Sequence, residues 1–454
     1  MDKLPKEILL QILQYLPYAD LKRSLLVCQR ILDAGLEPCL WRGFCLIVSS
    51  RNIGNLSEIL ELDRFENLKS VKFLGCNIKN KQLKIIKASK VKHIQIGAGH
   101  DLEKDCEISD VSPGILASFI GKMEVFKYHN SLLTEMNLKQ INSVAKELEN
   151  THNLKHLEIF YNNSLTSLPA ETLASAMSTL TELSLVFQKL NPDKYNALFS
   201  QINHSSNLKV LNLQGNNLSK VNPGIFGSAV IKLEKVNLSD CKINKDMLIR
   251  LFSDMKKDSK LKDLDVSYNP ALKHIDDHIY GDAINLLNRV NLKFTNSTLF
   301  QLMNLFELME VHTNLHEMNL VGNISLSKIP QPLFARTVTK LTKITIYATK
   351  LTSDQIQTLL YLIVNQPVNL SDLDLGGNNL SSIPSPLLAE SVNKLETVIL
   401  YYAHLSICQQ EDILEEAVKE TKLKHLDLGG NQLGVSKDLI WKAKKKIFVL
   451  KFSP

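Results

Sequence analysis

Twelve histidines and seven cysteines are the residues in this 454-residue chain best suited to chemistry, and both sets are scattered. Cys28, Cys39, Cys45, Cys76, Cys106, Cys241 and Cys408 form no Cys-x-x-Cys pair and no Cys/His group with metal-ligand spacing. They read as free thiols of a reducing compartment. No phosphate-cradling G-x-x-x-x-G-K-[ST], nucleophile-elbow G-x-S-x-G or zinc-binding H-E-x-x-H occurs. Gly97-Ala98-Gly99-His100 is a small glycine-rich patch that reads as a turn. The expectation is therefore no catalytic residue, no metal and no cofactor. What remains is recognition chemistry. Aromatic residues recur at one place in a repeated pattern, at Phe160, Tyr161, Phe187, Tyr268, Phe294, Tyr347, Tyr401 and Tyr402. Rigid aromatic side chains held at a surface are favoured anchors for a protein partner. Charged residues sit at the intervening outward positions, among them His156, Glu158, Asp263, Asp265, Arg289, Lys293, Asp372, Asp374, His425 and Asp427.

The elements that must position them follow from an apolar pattern, L-x-x-L-x-L. It is clearest at Leu208, Leu211 and Leu213, and again at Leu233, Val236 and Leu238. Openings of this kind begin at Leu68, Val91, Met123, Leu154, Leu180, Leu208, Leu233, Leu261, Leu287, Leu315, Leu341, Leu370, Leu395, Leu423 and Ile447, with an earlier one near Phe44 to Val48. From Leu154 onward most recur every 25 to 29 residues, the period of a leucine-rich repeat. In a strand, the first, fourth and sixth positions point into the coil and the residues between them point out. One coil cannot bury its own apolar face, so neighbours must stack. The first three intervals are irregular, and Gly97 to Pro113 reads as an inserted loop.

The position three residues past the third apolar residue alternates. Asn162, Asn216, Asn269, Asn323, Asn378 and Asn431 occupy it in one class of repeat; Gln188, Cys241, Thr295, Thr349 and Ala403 occupy it in the other. A buried asparagine there can bond backbone groups where the strand turns away, which predicts a polar ladder on every second coil. The asparagine class carries proline-containing turns (SLPAETL, KIPQPLF, SIPSPLL) that predict short helices. The other class predicts fuller ones, such as Ser353 to Val364. This alternation is similar to ribonuclease-inhibitor-like leucine-rich repeats.

Composition adds bounds. Apolar residues make up 44% and charged residues 22%, ordinary for a folded chain. A net charge of +6 does not by itself call for a nucleic acid or a membrane. No apolar run reaches the roughly 18 residues of a membrane-spanning helix, and the first residues lack a secretory pattern. Residues 67–100 hold eight lysines and no Asp or Glu. They read as a solvated helix, or as a landing zone for an acidic partner.

Residues 1–46 differ from the rest. Leu4-Pro5 opens an amphipathic helix in which Ile8, Leu9, Ile12, Leu13 and Leu16 recur at helical spacing. Pro17 stops it, and Asp20 reads as the N-cap of a second helix bearing Leu21, Leu25, Leu26 and Val27. So short a segment cannot enclose all its large apolar residues and must pack on something else. Leu4-Pro5, the Ile8–Ile12 helix, Leu16, Leu21 to Leu25, Val27-Cys28 and the closing Leu40-Trp41 together resemble an F-box. Ile31 or Leu32 stands near the place where many F-boxes have tryptophan. The resemblance implies docking to a Skp-family adaptor, and through it a cullin–RING ligase. The implied contacts are Leu4, Pro5, Ile8, Leu9, Ile12, Leu16, Leu25, Val27, Cys28 and Trp41.

The expected architecture is α/β: a short three-helix F-box, irregular repeats over 47–152 and regular alternating repeats over 153–454. The repeats form a curved solenoid with a parallel concave sheet and convex helices. The resemblance implies a non-catalytic substrate-recognition subunit of a ubiquitin ligase, cytoplasmic or nuclear. Its partner on the concave face is a protein, with no nucleic acid and no membrane. The alternative is a leucine-rich-repeat scaffold or inhibitor in which the first helices are only a cap.

Overall fold

Pro5, with φ −55°, precedes the first helix, α1 (Lys6–Gln14), where its missing N–H is not needed. Leu9 and Leu13 of α1 point inward and meet Leu21, Ile31 and Ala34 from α2 (Tyr18–Ser24) and α3 (Gln29–Gly35) in a small core. Asp20 is not an N-cap as expected. It lies inside the first turn of α2, where a carboxylate still favours the helix dipole, and pairs with Arg23 at 3.1 Å. A 3-10 turn, Pro38–Trp41, then buries Leu40 and Trp41. The computed structural model describes residues 4–16, 18–41, 43–97, 105–129, 136–204 and 207–452. The chain falls into two units, Met1–Asn216 and Asn217–Pro454.

In the first unit the strands run parallel in chain order: β1 (Cys45–Ser49), β2 (Ser70–Leu74), β3 (His93–Ile96), β4 (Val125–Tyr128), β5 (His156–Phe160), β6 (Glu182–Val186) and β7 (Val210–Asn212). The strand expected near Phe44 to Val48 is β1. Between the strands lie α4 (Leu56–Leu60), α5 (Asn80–Ala88), α6 (Pro113–Ile120), α7 (Leu138–Asn150), α8 (Ala170–Met177) and α9 (Pro192–His204). In β2 and β5 buried residues alternate with half-buried ones, so one sheet face is packed and the other open. Residues 98–104, with most of the glycine-rich patch and part of the expected insertion, lie outside the described residues. The segment after them returns to the body. Ile78 N–H donates to Glu107 O at 2.8 Å, and the buried Cys76 and Cys106 sulfurs stand 3.8 Å apart. On α5, Lys81 and Lys84 are solvated, as the basic stretch predicts.

The second unit repeats the plan with parallel β8 (Lys235–Asn237), β9 (Asp263–Asp265), β10 (Arg289–Asn291), β11 (Glu317–Asn319), β12 (Lys343–Thr345), β13 (Asp372–Asp374), β14 (Thr397–Ile399), β15 (His425–Asp427) and β16 (Val449–Lys451). Its helices alternate in length. Those after asparagine coils are α10 (Pro223–Val230), α12 (Asp277–Asn285), α14 (Gln331–Val338) and α16 (Ser385–Asn393). Those after the other class are α11 (Lys245–Asp254), α13 (Leu299–Val311), α15 (Ser353–Asn365) and α17 (Ile407–Lys419), and α18 (Lys437–Ala443) closes the series. The proline turns therefore mark the shorter helices, as the sequence predicts.

Two ladders of buried amides hold neighbouring coils in register. Asn269 Nδ2 donates to Leu238 O (2.8 Å) and Val266 O (3.1 Å), and its Oδ1 accepts from Ile243 N–H. Asn323 and Asn378 repeat these bonds one coil pair apart. Asn162 departs from the expected ladder. Its amide finds no hydrogen-bond partner, and Gln188 of the next coil takes over, donating to Ile159 O and Val186 O. Glutamine is one carbon longer and reaches back from the coil that lacks asparagine. The second ladder is glutamine alone. Gln140, Gln301, Gln355 and Gln409 close capping boxes with Asn137, Thr298, Thr352 and Ser406. Each Nε2 also bonds two carbonyls of the preceding coil, for Gln301 those of Leu272 (2.9 Å) and Ile275 (2.8 Å).

Candidate protein-binding surfaces

Helix α1 carries two apolar stripes. Leu9 and Leu13 face the small core, while Ile8, Ile12 and Tyr15 follow at i, i+4 and i+7 on the other side. Ile8 and Ile12 are 40% and 43% exposed, and Tyr15 is 89% exposed. Beyond the end of α2, Leu26 and Val27 are exposed at 87% and 69%. An apolar residue on a solvated helix face loses hydration free energy that only a partner restores.

The structure divides the expected adaptor contacts. Ile8, Ile12 and Val27 are open, and Pro5 is exposed. Leu4, Leu16, Leu25 and Cys28 are half-buried. The Leu4 carbonyl accepts from the Arg30 guanidinium, and Leu25 packs against Gly35, where an added methyl would overlap it. Leu9 and Trp41, also expected as contacts, are buried within the chain. Leu9 lies on the inward stripe. Trp41 Nε1 donates to Gly35 O at 2.8 Å, and its ring meets Phe44 and Phe65 edge-on at 5.2 and 5.7 Å. The Arg64 guanidinium lies 5.8 Å from the Trp41 ring and 5.0 Å from Phe65. Trp41 thus joins the helices to the first repeat. Sequence reasoning missed Tyr15 as a surface residue; its signal was the i, i+7 spacing from Ile8.

On the open sheet face of the first unit the polar residues are linked. Glu158 Oε2 lies 2.9 Å from Lys127 Nζ and 3.7 Å from His156 Nε2, and its Oε1 lies 3.0 Å from His129 Nε2. His156 also meets Glu182 at 3.0 Å. Burial alone would raise the Glu158 pKa, but His129, His156 and Lys127 outweigh it and hold the carboxyl well below its usual range. Phe160 stacks on His129 with ring centres 4.3 Å apart.

The predicted aromatic anchors occupy two positions. Phe160, at the end of β5, and Tyr347 and Tyr401, two residues beyond β12 and β14, are half-buried. Tyr161, Phe187, Tyr268, Phe294 and Tyr402 stand one residue on, each with φ near +50°. A bulky residue pays for that left-handed conformation with strain, and here each ring lies along the neighbouring coil. Tyr161 stacks on Phe187 at 4.9 Å, and Tyr268 meets Phe294 at 5.2 Å. Phe187, Phe294 and Tyr402 rest where Gly215, Gly322 and Gly430 lack a Cβ. These rings are part coil contact and part surface; Tyr268, Phe294 and Tyr402 keep 44%, 42% and 48% of their area exposed. Among the described residues no group of His, Cys, Asp or Glu could hold a metal ion. Nor, among them, is any helix long and apolar enough to cross a membrane.

These observations define a protein with an F-box-like segment joined to leucine-rich repeats. The F-box-like family matches residues 1–47, and the leucine-rich-repeat families match residues 207–229, 369–390 and 419–436. No curated protein matches the sequence. Solved structures with a similar fold include the leucine-rich repeat-containing protein LegL7 from Legionella pneumophila, at 18% identity, 66% of this chain, 94% of that chain and a TM-score of 0.41. Another is the Rad7 and Elc1 complex in yeast, at 15% identity, 80% of this chain, 89% of that chain and a TM-score of 0.41. A leucine-rich-repeat protein of Leptospira interrogans matches at 18% identity over 88% of this chain and 93% of that chain, with a TM-score of 0.41.

Proposed function

We propose that this chain is the substrate-recognition subunit of a Skp–cullin–F-box type ubiquitin ligase. The observation that carries the reading is the second apolar stripe of α1. Ile8, Ile12 and Tyr15, with Leu26 and Val27, stay exposed although the inward stripe fills the small core and Trp41 packs on the first repeat. Capping of the repeats, the competing role for these helices, uses Trp41 and Phe44 and leaves that stripe without an occupant. The adaptor is the partner the F-box-like match suggests for it. The open sheet face holds the substrate protein. The chain supplies no catalytic group; it raises the effective concentration of a substrate lysine near the charged conjugating enzyme. Its place of action is the cytoplasm or the nucleus.

The experiment is co-expression of the full chain with a Skp-family adaptor, followed by size-exclusion chromatography. Co-elution at equal stoichiometry is expected, with loss in an Ile8→Asp/Val27→Asp variant that keeps the parent's unfolding midpoint. A folded chain that elutes apart from the adaptor rejects the reading.

A further inference from the structure

On the open sheet face of the second unit, charges pair across neighbouring strands from β8 to β11. Lys235 meets Asp263 at 2.9 Å, Arg289 meets Glu317 at 3.0 Å, and Asn291 Nδ2 donates to Asp265 at 2.7 Å. From β13 to β15 the pairing shifts to the residues just before the strands, where Lys424 meets Glu396 at 2.6 Å. Asp374 is half-buried and accepts from Gly376 N–H at 2.9 Å, and no Lys, Arg or His among the described residues pairs with it. Asp427 accepts from Gly429 N–H at 3.0 Å, and among the described residues its cationic partner is Lys451, 3.9 Å away.

Two residues beyond each aspartate the strand ladder carries alternate tyrosines and glycines. Ala348 N–H bonds Gly376 O, Gly377 N–H bonds Tyr401 O, and Tyr402 N–H bonds Gly429 O, so Tyr347, Gly376, Tyr401 and Gly429 follow one another across four coils. A Cβ on Gly376 would lie 2.8 Å from Tyr347 Cδ2, so the Tyr347 ring lies against the β13 backbone. Tyr401 and Tyr402 meet edge-on at 4.3 Å, and Tyr402 covers Gly430. The Tyr347 and Tyr402 rings thus lie over the glycines of the next coil, with two carboxylates beside them. Burial first, and then the Asp427 charge, push the Asp374 pKa up against the pull of the Gly376 N–H. A cation relieves both effects, and a planar guanidinium can bond a carboxylate while stacking on a tyrosine.

We propose that the patch formed by Tyr347, Tyr401, Asp374 and Asp427 binds an arginine side chain from a basic segment of the protein held on this face. The proposal rests on the substrate-receptor reading and names the chemistry of its substrate. The chain as a whole is net positive, so general attraction opposes a basic peptide and a local site is needed to hold one.

The test is fluorescence anisotropy on the full chain, with a fluorescein-labelled peptide of alternating arginine and glycine at about 0.15 M salt. Saturable binding is expected, weakened at least about tenfold by Asp374→Asn/Asp427→Asn, the loss of two charge-assisted contacts. Tyr401→Ala, which leaves the charge untouched, should weaken it severalfold, while Asp263→Asn should not. The proposal is overturned if the double variant binds as the parent does, if Tyr401→Ala has no effect, or if a glutamate-for-arginine peptide binds equally. Adaptor co-elution is measured on the same proteins. Intact co-elution without peptide binding overturns the arginine site alone; peptide binding without co-elution overturns the receptor reading.

Discussion

Asn216 and Asn162 hold equivalent places in the sequence, yet their surroundings differ. Asn216 Nδ2 donates to Leu185 O and Leu213 O at 2.6 Å, whereas the Asn162 amide has no hydrogen-bond partner. Asn216→Ala should therefore cost about 1–3 kcal/mol, and Asn162→Ala clearly less, read as shifts in the urea unfolding midpoint. Equal losses would place the ladder elsewhere. Glu158 makes a different prediction. Its folded pKa is depressed by His129, His156 and Lys127 against burial. The unfolded state therefore takes up protons first as pH falls, and the stabilising contribution, full above about pH 4.3, is lost below it. Glu158→Gln should flatten the acid limb of the stability curve over that window; an unchanged limb would contradict the assignment.

At the scale of elements, Gln301 couples a helix start to the coil before it. Its Oε1 accepts from Thr298 N–H at 3.0 Å while Nε2 serves two carbonyls. Gln301→Ala should lower stability by about 1–3 kcal/mol and speed amide exchange at Thr298. Retention of protection there would show that water replaces the side chain at no loss. The capping-box spacing was visible in Asn137-x-x-Gln140 and its three counterparts, but nothing in that spacing announces that the same amide crosses to the preceding coil. Helix α1 shows a similar limit. Spacing alone marks Ile8, Leu9, Ile12 and Leu13 equally as apolar, and only packing separates the exposed pair from the buried one. The pure docking variant is accordingly Ile8→Ala/Ile12→Ala. It should reduce adaptor binding at least about tenfold, as two interface truncations of 1 kcal/mol or more, with no loss of helicity. Trp41→Ala should instead loosen the segment itself, by about 3–5 kcal/mol for a buried ring, visible as a lower unfolding midpoint.

For the whole molecule, the F-box-like stripe lies within Met1–Asn216 and the proposed arginine patch within Asn217–Pro454. They share no residue, so their energetics should add. The Ile8→Ala/Ile12→Ala chain should retain parental affinity for the arginine peptide, and the Asp374→Asn/Asp427→Asn chain should retain the adaptor. A variant that loses both partners would show coupling. The sequence alone determined the repeat, its alternation of short and long helices, the starts of the strands and the F-box-like segment. Each is written in spacing, and spacing acts locally through the strand and helix periods. Tertiary structure alone decided that Leu9 and Trp41 are interior, that Gln188 replaces Asn162 in the ladder, and that among the described residues no cation pairs with Asp374. Those outcomes depend on which side chain of the neighbouring coil arrives at a given point, a relation between residues some 26 positions apart that no local period records.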